Sequence, residues 1–122
     1  MLDGIDHVQL AAPPGCETDA RRFFGELIGL EELEKPESLR AGGGAWFRVG
    51  SQQLHVGVEP EFAPARKAHP AFAVSRYDEL VARLGAAAVT VVEDASIPGV
   101  RRCYVEDPWG NRIELVAVEN GS

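Results

Sequence analysis

Apolar residues recur along the chain with two periods, and the change from one to the other divides it into elements. Ala20, Phe23, Phe24, Leu27 and Ile28 fall at i, i+3, i+4, i+7 and i+8, one face of a helix, and Gly29 supplies a stop. Tyr77, Leu80, Val81 and Leu84 repeat the spacing, and Gly85 closes it. Ser75-x-x-Asp78 just ahead reads as a capping box, with Ser75 covering a free amide of the first turn. Each helix can bury one face only, so each requires a sheet to lie on. The remaining apolar segments alternate or are β-branched and aromatic, which predicts strands at Ile5–Ala11, Ala45–Val49, Gln53–Val58, His69–Val74, Val89–Val92, Arg101–Glu106 and Arg112–Val118. A short strand at Glu31–Leu33 is more weakly marked. Gly50-Ser51 suits a two-residue hairpin turn, and Asp107-Pro-Trp-Gly-Asn111 is a turn signal before the last strand.

The element order is then β-α-β-β-β written twice, an internal duplication. His7-Val-Gln-Leu-Ala-Ala opens one half and His69-Pro-Ala-Phe-Ala-Val the other; Leu54-His-Val-Gly-Val-Glu59 and Ile113-Glu-Leu-Val-Ala-Val118 end them. The expected organisation is a single domain over 1–122, with module one at 1–59, a linker at 60–67 and module two at 68–122. The fold class is α+β: two tandem βαβββ modules forming a cupped, mostly antiparallel sheet with helices on the outer face. Neither half would bury much core alone.

Composition narrows the function. The 122 residues are 45% hydrophobic and 25% charged, ordinary for a globular chain, and 19 acidic against 12 basic residues leave a net charge of -7. An acidic surface repels phosphate backbones, so no nucleic-acid partner is expected. No apolar run approaches the roughly 18 residues of a membrane span, and the N-terminus has no basic n-region or apolar h-region, so no membrane partner is expected and the localisation is cytoplasmic. Cys16 and Cys103 make neither a disulfide framework nor a CxxC site and read as reduced packing residues.

The chain has 3 histidines, all at matched places of the repeat. His7 and His69 occupy the first strands of the halves. His55 lies on the last strand of the first half, where Glu114 takes the corresponding place in the second. Strand alternation puts Gln53, His55 and Gly57 on one side of their strand and Leu54, Val56 and Val58 on the other. Arg112 and Glu114 likewise oppose Ile113 and Leu115, and His7 and Gln9 oppose Val8 and Leu10. The apolar set meets a helix and the polar set faces the concave side. Imidazoles with one carboxylate suit a divalent metal ion such as Zn, Ni, Mn or Fe, which makes His7, His55, His69 and Glu114 the candidate metal ligands. Across a Gly50-Ser51 turn, Trp46 lies opposite His55 and Arg48 opposite Gln53; by the repeat, Arg102 and Tyr104 line the other half near Glu114. Trp46, Arg48, Arg102 and Gln53 are the candidate substrate-binding residues for a small anionic or oxygen-rich ligand, since Arg grips carboxylate or phosphonate in a bidentate way.

From Gly4-Ile-Asp-His-Val to Asp107-Pro-Trp-Gly-Asn-Arg-Ile-Glu-Leu-Val116 the sequence resembles the vicinal oxygen chelate superfamily, which contains glyoxalase I, fosfomycin resistance enzymes, extradiol dioxygenases and bleomycin resistance proteins. The most specific piece is Tyr104-Val-Glu-Asp-Pro-x-Gly-Asn-Arg-Ile-Glu114. The resemblance implies paired βαβββ modules around a metal held by residues like His7, His69 and Glu114. In glyoxalase I a second glutamate stands where this chain has His55. The fosfomycin thiol transferases share the His7, His69 and Glu114 pattern and a tyrosine like Tyr104, but Asp94–Arg102 does not match their lysine and serines.

These readings point to a metal-dependent glyoxalase-like enzyme, a lyase, isomerase or thiol transferase, with Glu114 and Tyr104 as catalytic candidates. Bidentate chelation of neighbouring oxygens would stabilise an enediolate or developing oxyanion. The alternative is a non-catalytic binding protein of the bleomycin-resistance type that sequesters an antibiotic or toxin. The proline-bearing linker, and the module exchange the resemblance implies, further predict a homodimer with shared sites.

Overall fold

The computed structural model describes residues 1–118; residues 119–122, the end of the expected second module, lie outside the described residues. The chain divides into two compact units, Met1–Pro64 and a second that begins at Ala65. The first contains β1 (His7–Ala12), α1 (Glu17–Ala20) running on into π-helical turns at Arg21–Leu27, β2 (Glu31–Leu33), β3 (Ala45–Val49) and β4 (Gln52–Val58). The second contains β5 (Ala71–Val74), α2 (Tyr77–Ala86), β6 (Val92–Glu93), β7 (Arg102–Glu106) and β8 (Arg112–Ala117).

The two sheets have the same topology, β1-β4-β3-β2 and β5-β8-β7-β6. In each, the first strand runs parallel to the last, and the other two pairings are antiparallel. The protein is therefore α+β and built from two βαβββ units, as the duplicated pattern predicts. The registers also coincide. Gln9 pairs with His55 and Trp46 with His55; Ala71 pairs with Glu114 and Tyr104 with Glu114. His7 precedes Gln9 by two residues and His69 precedes Ala71 by two, so the equivalences read from the repeat hold strand by strand.

In the first unit Phe24, Phe47, Leu54 and Val56 are almost fully buried; in the second, Leu84, Cys103, Ile113 and Leu115 are. Alternation explains the choice, because on β4 and β8 every second side chain faces the helix. The helix that carries Phe23 and Phe24 departs from α geometry: Ile28 N–H bonds to the Phe23 carbonyl and Leu30 N–H to the Phe24 carbonyl, each at 2.9 Å. Two adjacent bulky rings must both enter the core, and the wider turn narrows the angle between neighbours so that they do. Phe24 then reaches Phe47 across 5.8 Å.

Several strand ends shift from the sequence reading by a residue or two, and the cap and two of the strand starts differ for local reasons. Ser75 makes no cap: α2 starts at Tyr77 with Arg76 at its N-cap and no side-chain cap bond, and Asp78 is instead drawn to Arg101 at 2.5 and 3.2 Å. β5 begins at Ala71 rather than His69, because Pro70 has no N–H to give a ladder, though its carbonyl still accepts the Glu114 N–H at 3.0 Å. After α2, Ala88 takes φ 64° and the Val89 N–H bonds back to the Leu84 carbonyl at 2.9 Å, so the chain joins the sheet only at Val92.

Two polar anchors fix the loops. The Glu17 carboxylate accepts the Gly44 N–H at 2.6 Å, which holds the approach to β3 against the helix start. The turn after β7 is built on buried Asp107, which accepts the N–H groups of Trp109 and Asn111 at 3.1 and 2.8 Å and the Asn111 side-chain amide at 2.8 Å. The Asn111 Oδ1 in turn accepts the Ala65 N–H at 2.9 Å, and the Ala65 carbonyl accepts the Arg112 N–H at 2.9 Å. The turn signal is thus also a clasp on the segment that leads to His69.

Candidate functional site

In the first unit, three rings from neighbouring strands lie in a column. Trp46 on β3 stacks on His55 on β4 with centroids 3.8 Å apart and planes at 1°. His55 stacks in turn on His7 of β1 at 4.1 Å and 19°. The register sets Trp46 directly opposite His55, while His7, paired with Gln53, reaches His55 diagonally; the buried Leu54 and Val56 fix the strand that carries His55. The His55 Nε2 is 2.8 Å from the Gln53 Oε1. Burial, and after it the neighbouring His7, hold the His55 imidazolium below the usual histidine range. The His7 Nδ1 lies 2.9 Å from an Asp6 carboxylate oxygen. Arg48 faces outward and its Nε pairs with Glu31 at 3.1 Å.

In the second unit, the centre is Glu114 on β8, buried at 9% exposure. Its Oε1 lies 2.9 Å from the His69 Nε2, and its Oε2 accepts the Arg102 Nη1 at 2.9 Å. Burial alone would raise the Glu114 carboxyl; the Arg102 and His69 bonds outweigh it and hold the group below the usual carboxylate range. Arg102 on β7 is the hub. Its Nη1 also donates to the Tyr104 hydroxyl oxygen at 2.9 Å, and its Nη2 reaches Ser96 Oγ at 3.0 Å and an Asp94 oxygen at 3.1 Å. The bonds to Glu114 and Tyr104 raise its affinity for its proton still further. Its terminal nitrogens thus make three hydrogen bonds and one ion pair, while its buried Nε has no hydrogen-bond partner among the described residues. The Tyr104 ring stands edge-on to His69 at 5.5 Å, and the Arg112 guanidinium lies over its face at 4.8 Å.

The donor chemistry fits a divalent cation. The His69 Nδ1 is 2.8 Å from the Lys67 carbonyl oxygen, which can only accept, so Nδ1 carries a hydrogen and Nε2 is the ring atom turned to Glu114. Nε2 and the Glu114 Oε1 lie 2.9 Å apart, a spacing that either a proton on Nε2 or a cation between the two atoms satisfies. Two donors held by one ion at ~2.1 Å lie roughly 3 Å apart, the same spacing. His7 repeats the arrangement, with Nδ1 on Asp6 and Nε2 left open. Among the described residues no group of three or more His, Cys, Asp or Glu side chains could hold an ion; each unit offers a pair.

The structure therefore brings His7, His55, Trp46 and Gln53 together in one unit and His69, Glu114, Tyr104 and Arg102 in the other, while Arg48 stands apart on its ion pair with Glu31. Sequence reasoning missed Arg112 as a site candidate, although its alternation with Ile113 already put it on the Glu114 side. It also missed Asp94 and Ser96, which no strand period marks.

No family model and no curated protein matches the chain. Solved structures do. Two tandem units of this topology define the vicinal oxygen chelate fold, and the chain is similar to a lactoylglutathione lyase from Agrobacterium tumefaciens, with TM-score 0.76 and 20% identity over 98% of this chain and 96% of that one. It is similar as well to the fosfomycin resistance protein FosX from Listeria monocytogenes, with TM-score 0.75 and 21% identity over 97% and 95% of the two chains. At that distance the likeness is one of fold. A crystal structure from Bacillus anthracis, described as of the glyoxalase family, matches with TM-score 0.93 and 52% identity over 96% of both chains. The chain belongs to the glyoxalase family.

Proposed function

We propose that the protein is a metal-dependent enzyme of the vicinal oxygen chelate type, a lyase, isomerase or transferase acting on a small oxygen-rich molecule. The observation that carries this reading is the His69–Glu114 pair, an imidazole nitrogen and a carboxylate oxygen 2.9 Å apart with their outer atoms pinned by Lys67 and Arg102. His7, His69 and Glu114, with His55 beside His7, would hold a divalent ion such as Zn, Ni, Mn or Fe. When bound, such an ion supplies Lewis-acid polarisation of two neighbouring substrate oxygens.

The chain's own residues do the rest. The Arg102 Nη1 donates to the Tyr104 hydroxyl oxygen, so the phenolic hydrogen is turned away from Arg102 and is free to donate. Tyr104 can therefore give a hydrogen bond, or its proton, to a substrate oxygen that gains charge. Glu114 keeps one oxygen toward His69 while Arg102 occupies the other, which limits it to a single free donor or base atom. Trp46, with one face against His55, offers an apolar wall, and the Gln53 amide fixes the His55 ring.

Each unit offers a pair of donors where an ion needs about four ligands. We therefore read the active species as a homodimer in which His7 of one chain serves the same ion as His69 and Glu114 of another. Metal analysis of protein purified without chelator is expected to find about one divalent ion per chain, and His69→Ala to lose it. Wild type free of metal, with a ligand recovered unchanged, would instead identify a binding protein. Mixing His7→Ala with Glu114→Ala chains is expected to restore metal at one position of the mixed dimer; no recovery would confine each site to one chain.

A further inference from the structure

Arg102 and Arg112 lie on the same side of the second sheet and both approach Tyr104, at 5.5 and 4.8 Å from its ring centre. Their situations are opposite. Arg102, 10% exposed in its side chain, bonds through its terminal nitrogens to Glu114, Tyr104 and Ser96 and pairs with Asp94. Its charge already faces two carboxylates, and its one unpartnered N–H, on Nε, is buried. Arg112 is half-buried, rests on the Tyr104 face, and enters no side-chain hydrogen bond or ion pair among the described residues. Its cross-strand neighbour Glu106 is exposed and forms no ion pair with it. Its backbone is fixed by the Ala65 carbonyl and by the β7 ladder, and it stands two residues before Glu114 on the same strand face.

We propose that Arg112 is the specificity-determining residue for an anionic substituent, so that the substrate is a small molecule carrying a carboxylate or phosphonate besides its vicinal oxygen pair. A guanidinium held over a phenol ring, with no carboxylate among the described residues to pair it, keeps its N–H groups for an oxyanion, which they can receive in a bidentate way. Desolvating it by half strengthens that bond over one at an open surface. Tyr104 thus has two tasks: its oxygen end is set by Arg102, and its face carries Arg112. The assignment rests on the proposed metal site only in that the ion would take the oxygen pair while Arg112 takes the charge.

The test is calorimetric titration with a matched pair, 3,4-dihydroxybenzoate and 3,4-dihydroxybenzamide, which share vicinal oxygens and differ in the anion. Zinc-loaded and chelator-stripped dimers of wild type, Arg112→Gln and Arg112→Lys are compared. Loaded wild type is expected to bind the carboxylate about 10- to 100-fold more tightly than the amide, the range of a charged hydrogen-bonded pair. Arg112→Gln should bring the ratio to about one, and Arg112→Lys should keep part of it. Stripping zinc should weaken both probes yet preserve the ratio. If stripping changes nothing while the ratio persists, the metal reading falls and the Arg112 assignment stands. Equal binding of the two probes, no binding of either by loaded wild type, or an unchanged ratio in Arg112→Gln overturns the assignment.

Discussion

Single residues hold the loops that deliver this site. Gly44 has φ 88°, and a Cβ there would drive into the Val56 carbonyl. No side chain can yield, because the obstacle is backbone. Gly44→Ala is expected to destabilise the fold by about 3 kcal/mol or more, measured by urea unfolding. Asn111, 1% exposed, joins Asp107 to Ala65 through both ends of its amide. Asn111→Ala would leave a buried carboxylate and a linker N–H without these partners, at a cost of roughly 2–4 kcal/mol. Glu17 gives a pH signature. The Gly44 N–H holds its carboxyl below the usual glutamate range in the folded state. The stabilisation is therefore present above the unfolded-state value and is lost as pH falls through the folded one. Unfolding followed from pH 6 downward should show this acid-side loss in wild type and less of it in Glu17→Gln.

At the scale of elements, what could be read beforehand was whatever obeys a period. The strands β3 and β4 and the turn between them follow from alternation and Gly50-Ser51, and the pairings of Trp46 with His55 and Arg48 with Gln53 came with them. The equivalence of His55 and Glu114 was legible because duplicated sheets share a register. What was not legible depends on choices between partners that a linear pattern does not rank. Ser75 and Asp78 have capping-box spacing, yet Arg101 from a distant segment takes the Asp78 carboxylate. Ser75→Ala should therefore change stability by less than about 0.5 kcal/mol, where a working cap would cost about 1. The π-helical turns were hidden for a related reason, since Phe23 and Phe24 satisfy a helical period and only the ring volumes demand the wider turn. Arg102 and Arg112 look alike in sequence. Only the positions of Asp94, Ser96, Tyr104 and Glu114 show that one has its charge paired and the other does not.

For the molecule as a whole, duplication explains how two matched sets of candidate donors arise from one design. Each unit presents its site residues from the same strand positions, with an imidazole beside the first strand and a second donor on the last. The halves then diverged: Trp46, His55 and Gln53 make an aromatic surface in one, and Arg102, Tyr104, Glu114 and Arg112 a charged one in the other. Sedimentation at low micromolar concentration is expected to return a dimer.

The ring column has a use beyond holding His55. An indole packed face to face on an imidazole at 3.8 Å shares its excited state with whatever that imidazole binds. The chain has 2 tryptophans, and Trp109, in the turn after β7, stacks on no histidine among the described residues. A cation captured at His55 or His7 should therefore dim the emission of Trp46 and leave that of Trp109 as an internal standard. Trp46→Phe should abolish the response while metal content stays the same, so that occupancy can be followed by light, in real time, without a label.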